Sequence, residues 1–166
     1  MYSAAEFEEM KATIVAAKEL GADGLVLGIL KPDKSVDIQR TGELVALAKP
    51  LPVTFHRAFD ETPDLSRTLV DVMQTGAGRI LTSGGATNAL EGAENVASLV
   101  DAAAERITII PGAGINADNI LRVAAVTHAR EFHSGLSSTL PYPRAHYAAF
   151  ERGVRELAAK LRSLTP

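Results

Sequence analysis

Cysteine and tryptophan are both absent from the 166 residues. Without cysteine there is no disulfide and no thiolate metal site, and a cytoplasmic protein is the expectation. Aromatic residues make up only 5%, which argues against a stacking surface for single-stranded nucleic acid. An excess of positive charge is missing too: the formal net charge is -3, so no nucleic-acid partner is expected. Long hydrophobic runs are also lacking. The first twenty residues interleave Glu and Lys with apolar side chains, which predicts neither a signal peptide nor a membrane span, and no membrane partner. No linker, low-complexity tract or charge block interrupts the chain. What is present is ordinary for a globular protein, 46% hydrophobic and 22% charged, and predicts a single domain over residues 1–166.

Short β-branched runs begin near Gly24 (GLVLGI), Pro52 (PVTF), Arg79 (RIL), Ile107 (ITII) and Glu131 (EFH). Their spacing is close to one strand-plus-helix unit, and their lack of apolar–polar alternation fits a parallel sheet covered by helices. The helices between them carry end signals. Ser3 with Glu6 predicts a capping box, followed by an apolar stripe of Phe7, Met10, Ile14, Ala17 and Leu20 and a left-handed stop at Gly21. Thr62-Pro63-Asp64 predicts a second start, with Pro63 in the first turn and Leu65, Leu69 and Val72 buried. Asn116 is expected to cap the helix of Ile120, Leu121 and Ala124. A last helix after Pro143 is expected to bury Tyr147, Phe150, Val154, Leu157 and Leu161. Five such units make either an open doubly wound sheet or part of a (β/α)₈ barrel, and in both the ligand-binding residues gather at the carboxyl ends of the strands.

Four strand ends therefore carry the candidate chemistry. PVTF delivers His56, Arg57 and Asp60. RIL is followed by Thr82, Ser83, Gly84 and Gly85. ITII runs into PGAGIN, with Gly112, Gly114 and Asn116, and EFH ends in His133, Ser134 and Gly135, with Ser137 and Ser138 beyond. Glycines that turn the backbone tightly before a helix N-terminus suit an anion, and the following loop's hydroxyls would complete the site; the alternative is a plain capped turn. Ser83 lacks a nucleophile-elbow frame, so a Ser/Thr-assisted turn opening a helix after Thr87 is the simpler reading. His128 and His146 are expected on the surface. His56 and His133, with Asp60, suit acid–base work or a divalent metal, and Arg57 paired to Asp60 would make the same cluster a structural rim.

DGLVLGIL, LPVTFHRAFD, RILTSGG, IIPGAGIN and EFHSG, in this order, resemble the CutC family of copper homeostasis proteins over essentially the whole chain. The resemblance implies a cytoplasmic, commonly oligomeric TIM barrel linked to copper handling, of which this chain would be a partial barrel holding the later five strand-helix units and lacking the first three. His56, Arg57, Asp60, Thr82, Ser83, Gly84, Gly112, Gly114 and His133 match the family's mouth residues. Copper as a bound metal is implied by the resemblance alone. The three methionines include Met10 and Met73, both at helical core positions, and Cu(I) favours thiolate and thioether ligands. Any copper affinity is accordingly expected to be modest and pH-sensitive, through neutral His56 and His133.

The expected function is copper homeostasis through a strand-end site for a small anionic or phosphorylated ligand. His56, Arg57, Asp60 and His133 are the candidate catalytic residues if chemistry occurs, and Thr82, Ser83, Gly84, Gly112, Gly114, Asn116 and Ser134 the candidate ligand contacts. The alternatives are a direct copper-binding or trafficking protein, and a shortened non-catalytic paralogue acting through self-association. GLVLGI and EFH, as sheet edges without Pro or Lys in them, predict a homo-oligomer.

Overall fold

A computed structural model describes residues 2–135 and 147–163. Helix α1 (Ala4–Glu19) opens with the expected capping box. Ser3 Oγ accepts from the Glu6 amide at 3.2 Å, and the Glu6 carboxylate accepts from the Ser3 amide at 2.6 Å. Phe7 and Ile14 are buried and Met10 packs against them, but Leu20 is the C-cap and is 88% exposed. The apolar stripe thus ends one turn sooner than its spacing suggested, and Gly21 turns the chain at φ +79°. Because the box satisfies two orphan amides, Ser3→Ala should cost about 1 kcal/mol of stability, read as a lowered urea midpoint.

Four strands follow, β1 (Leu25–Leu27), β2 (Val53–Phe55), β3 (Arg79–Thr82) and β4 (Thr108–Pro111), all parallel and in the order β1-β2-β3-β4. A doubly wound sheet reverses its strand order at a switch point, and this one does not. The intervening helices α2 (Ile38–Ala48), α3 (Leu65–Thr75), α4 (Ala93–Ala103) and α5 (Ile120–Thr127) each touch the next, as α1 touches α2, and α6 (Tyr147–Arg162) touches α5. Side chains alternate across each strand. Leu27, Val53, Phe55, Ile80 and Ile109 are buried in one core with Phe7, Leu44, Leu69, Val72, Val96 and Leu99 of the helices. The opposite row, Val26, Thr54, Arg79 and Thr108, lies in register across the sheet, and Val26 in it is 64% exposed.

The predicted fifth strand is not formed. Glu131–His133 makes one backbone hydrogen bond to the sheet, from the His133 amide to the Pro111 carbonyl at 3.0 Å. Glu131 instead spends its side chain on the Arg79 guanidinium, at 2.8 and 3.2 Å. A single bond is too little to make a ladder. Other boundaries move for local reasons. Asp64 itself caps α3, accepting from the Arg67 amide, so Pro63 precedes the cap. A turn built on Asn88 delays α4 to Ala93, and another built on Asn116 delays α5 to Ile120. In α6 Leu157 is buried, whereas Tyr147 and Val154 are exposed. Met10 and Met73 both pack against the core. No described helix is long and apolar enough to cross a membrane.

Candidate functional site

Strand β2 ends at Phe55, wholly buried, and the chain turns at once into a 3₁₀ turn over Arg57–Glu61. The turn's geometry is set by its first two residues. The His56 amide donates to Leu27 O, continuing the sheet by one bond, and His56 Nδ1 accepts from the Ala58 amide at 3.3 Å. That bond requires an unprotonated Nδ1, which leaves the other ring nitrogen as the proton carrier. Burial holds the His56 pKa below its ordinary 6.5, against a backbone hydrogen bond that favours the charged form.

One turn on, the Asp60 carboxylate collects donors from two loops. It accepts from Arg57 Nε at 2.8 Å, from the Thr82 hydroxyl, from the Ser83 amide at 3.0 Å and from the Gly85 amide at 3.1 Å. Its side chain is 6% exposed. Burial pushes the Asp60 pKa up, but the hydrogen bonds from Thr82, Arg57, Ser83 and Gly85 outweigh it and hold the carboxyl below its ordinary 3.8. Ser83, fully buried, accepts from Arg57 Nη2 at 2.9 Å and lies 2.6 Å from Ala86 O, to which its hydroxyl donates. Thr82 Oγ1 accepts from the Gly84 amide, and Asn95 Nδ2 donates to Gly84 O. Asp60 thereby ties the loop after β3 to the loop after β2.

Both pKa shifts act in the same direction on stability. His56 and Asp60 each bind protons less readily folded than unfolded, so their stabilisation is complete at neutral pH. It falls as pH drops below about 6.5 for His56, and again below about 3.8 for Asp60, through each folded pKa. Urea midpoints of the native chain should thus decline from pH 7 to pH 5, and His56→Asn should flatten that decline.

The loop after β4 forms a second cluster. Gly112 donates to Thr82 O at 2.9 Å, and a side chain at Gly112 would strike Leu81. Ala113 and Gly114 both take positive φ. Asn116 Oδ1 accepts from the Asp118 and Asn119 amides, while the Asn116 amide donates to Asn119 Oδ1 at 2.9 Å. Asn119 Nδ2 donates to Gly114 O. Ser134 Oγ donates to Ile115 O at 2.6 Å, and His133 stands exposed beside Gly112.

The structure therefore brings Arg57, Asp60, Thr82, Ser83 and Gly84 into one network with His56 at its start. Gly112, Gly114, Asn116 and Ser134 form another, joined to the first through Gly112 and Thr82. No described hydrogen bond joins Arg57 to the PGAGIN loop. The two cavities described among these residues lie elsewhere, one between α1 and β1 and one beside the start of β4. Asn95 and Asn119 belong to these networks and were missed in the sequence; the repeated Asn of N-A-D-N was the available signal for Asn119. Ser137, Ser138 and His146 lie outside the described residues.

The comparisons agree with one another. The model of the CutC family matches residues 1–138. The CutC family protein of Chromobacterium violaceum is 42% identical over 162 residues, covering 95% of this chain and 66% of that protein. The human copper homeostasis protein cutC homolog is 44% identical over 139 residues, covering 84% of this chain and 51% of that protein. The crystal structure of CutC from Streptococcus agalactiae, at 31% identity, superposes with a TM-score of 0.75 over 80% of this chain and 65% of that one. The chain thus spans between half and two thirds of the length of these relatives. On the family match over residues 1–138 and these relatives, this chain belongs to the CutC family.

Proposed function

We propose that this chain serves copper homeostasis in the cytoplasm by binding a small anionic or phosphorylated molecule at the carboxyl ends of its strands, as the later part of a TIM barrel of the CutC kind. In that reading Glu131–His133 and α6 make the unit after β4. The observation that carries the anion is Arg57. Its guanidinium is half exposed and held rigidly by Asp60 and Ser83 on Nε and Nη2, and Nη1 has no hydrogen bond among the described residues. A guanidinium fixed on one edge and open on the other suits a carboxylate or phosphate oxygen. Asp60, with its oxygens shared among Arg57, Thr82, Ser83 and Gly85, acts in this reading as a positioning group. His56 Nε2 and the exposed His133 are the groups able to exchange a proton with a bound ligand.

Copper itself fits the residues poorly. Cysteine is absent, Met10 and Met73 are packed in the core, and no three His, Asp or Glu converge on one point among the described residues. The copper link named for the relatives would then run through the metabolite.

Calorimetric titration with inorganic phosphate at pH 7 tests the proposal. Arg57→Ala should weaken binding at least tenfold, with Arg57→Lys intermediate because it keeps charge but loses the fork. Equal phosphate affinity in Arg57→Ala would overturn the site. A tight, stoichiometric Cu(I) titration under reducing conditions would overturn the metabolite route.

A further inference from the structure

The loop after β1, residues 28–37, stands at the carboxyl end of the sheet beside the turn that carries Arg57. It holds its own shape. Ile29 and Val36 are buried at its base, Leu30 bridges to Val36, and the buried Thr41 hydroxyl accepts from the Ile29 amide at 3.2 Å. At its tip the Lys31 amide donates to Ser35 O at 2.8 Å and the Lys34 amide to Lys31 O at 2.9 Å. Asp33 Oδ1 accepts from both the amide and the hydroxyl of Ser35. Lys34 sits at φ +63°, a left-handed conformation that glycine or asparagine takes at lower cost. Its ammonium reaches Glu61, the last residue of the Arg57 turn, at 3.5 Å, with both side chains largely exposed. An exposed pair of this kind contributes little to stability. Neither the shape of the loop nor its hold on the turn explains a lysine at this position.

We propose that Lys34 is the second cation of the Arg57 site, and that the ligand carries two anionic groups set apart along its length, as in a bisphosphate or a phosphorylated acid. The inference rests on the reading of Arg57 as an anion contact and extends it to the class of ligand. Glu61 follows Arg57 by four residues, about 8 Å along a 3₁₀ turn, a span wider than one phosphate. The Arg57 guanidinium is fixed by Asp60 and Ser83, whereas Lys34 is a flexible stem tethered to one exposed carboxylate. One group of the ligand docks on the rigid fork. The other draws Lys34 away from Glu61 at little cost, because the exposed pair is weak. Asp60 is engaged by Arg57, Thr82, Ser83 and Gly85, and Asp33 by Ser35, so Glu61 is the carboxylate that competes for Lys34.

Calorimetric titration of the full chain with inorganic phosphate and with inorganic triphosphate tests this. Triphosphate should bind the native chain more tightly than phosphate, and Lys34→Gly should weaken triphosphate about fivefold while phosphate affinity stays unchanged. Glycine suits the left-handed position, so the urea midpoint of Lys34→Gly should hold or rise, and a damaged fold cannot account for the loss. Lys31→Ala, which removes the same charge from the same loop, should leave triphosphate binding close to native. Glu61→Gln frees Lys34 and should tighten triphosphate binding. Equal triphosphate affinity in Lys34→Gly and the native chain overturns the proposal, as does an equal loss in Lys31→Ala. A loss in Glu61→Gln overturns it too, because Lys34 would then act only by docking its loop on the turn. Phosphate binding that survives Arg57→Ala defeats the Arg57 reading and this inference with it. Phosphate lost in Arg57→Ala, with triphosphate indifferent to Lys34, defeats this inference alone.

Discussion

Gly92→Ala is expected to destabilise the protein by about 3 kcal/mol or more, and at that size to impair folding at 37 °C. Gly92 has an ordinary negative φ of -90°, so backbone strain is not the cause. The cause is contact. A Cβ there would collide with the Ser83 carbonyl oxygen and crowd Ala86. Ser83 cannot retreat, because its amide is held by Asp60 and its hydroxyl by Ala86 and Arg57. The start of α4 is thus packed directly on the backbone of the loop after β3. Gly78→Ala is the control: a Cβ at Gly78 meets nothing within 4 Å, and the change should cost well under 1 kcal/mol. Guanidinium denaturation of both variants decides between a contact effect and a general intolerance of alanine.

Asp60→Ala should cost about 3 kcal/mol, and more than Arg57→Ala, although the two are partners. Removing the carboxylate strands the buried Thr82 hydroxyl and Ser83 amide without this acceptor and leaves the exposed Gly85 amide to water, and the Asp60 side chain is 6% exposed. Removing Arg57, whose side chain is 43% exposed, leaves Asp60 with its other donors and should cost about 1 kcal/mol or less. Equal losses in the two variants would mean that the ion pair, and not the loop-to-loop tie, carries the stability.

The contrast between Arg57 and Asp60 shows how much of the site was legible in the chain. The Arg57–Asp60 pair is three residues apart on one turn, and local spacing suffices to anticipate it. The other donors to Asp60 lie 22 to 25 residues downstream and include two backbone amides. No pattern of residue types announces a backbone donor at that range, so Asp60 could be named as a candidate but not as a tie between loops. The strand ends were legible for a simpler reason: PVTF, RIL and ITII are buried on their helix side and break off abruptly into Gly, Ser or charged residues. EFH failed the same test. Its Glu131 finds Arg79 on β3, and that side-chain pairing, invisible in a three-residue run, accompanies a single backbone bond where a ladder was expected. Asn116 was read as a helix cap because the turn that it and Asn119 build together looks, in one dimension, like a first helical turn.

The central claim is that Arg57, fixed by Asp60 and Ser83, presents its free edge to an anion at the strand ends. A crystal grown or soaked with inorganic phosphate tests it most directly. The account predicts a phosphate within hydrogen-bond distance of Arg57 Nη1, with the Arg57–Asp60 and Arg57–Ser83 bonds intact and no phosphate there in Arg57→Ala crystals. A phosphate bound elsewhere on the chain with the Arg57 edge left bare, or one that persists at the strand ends in Arg57→Ala, would contradict it.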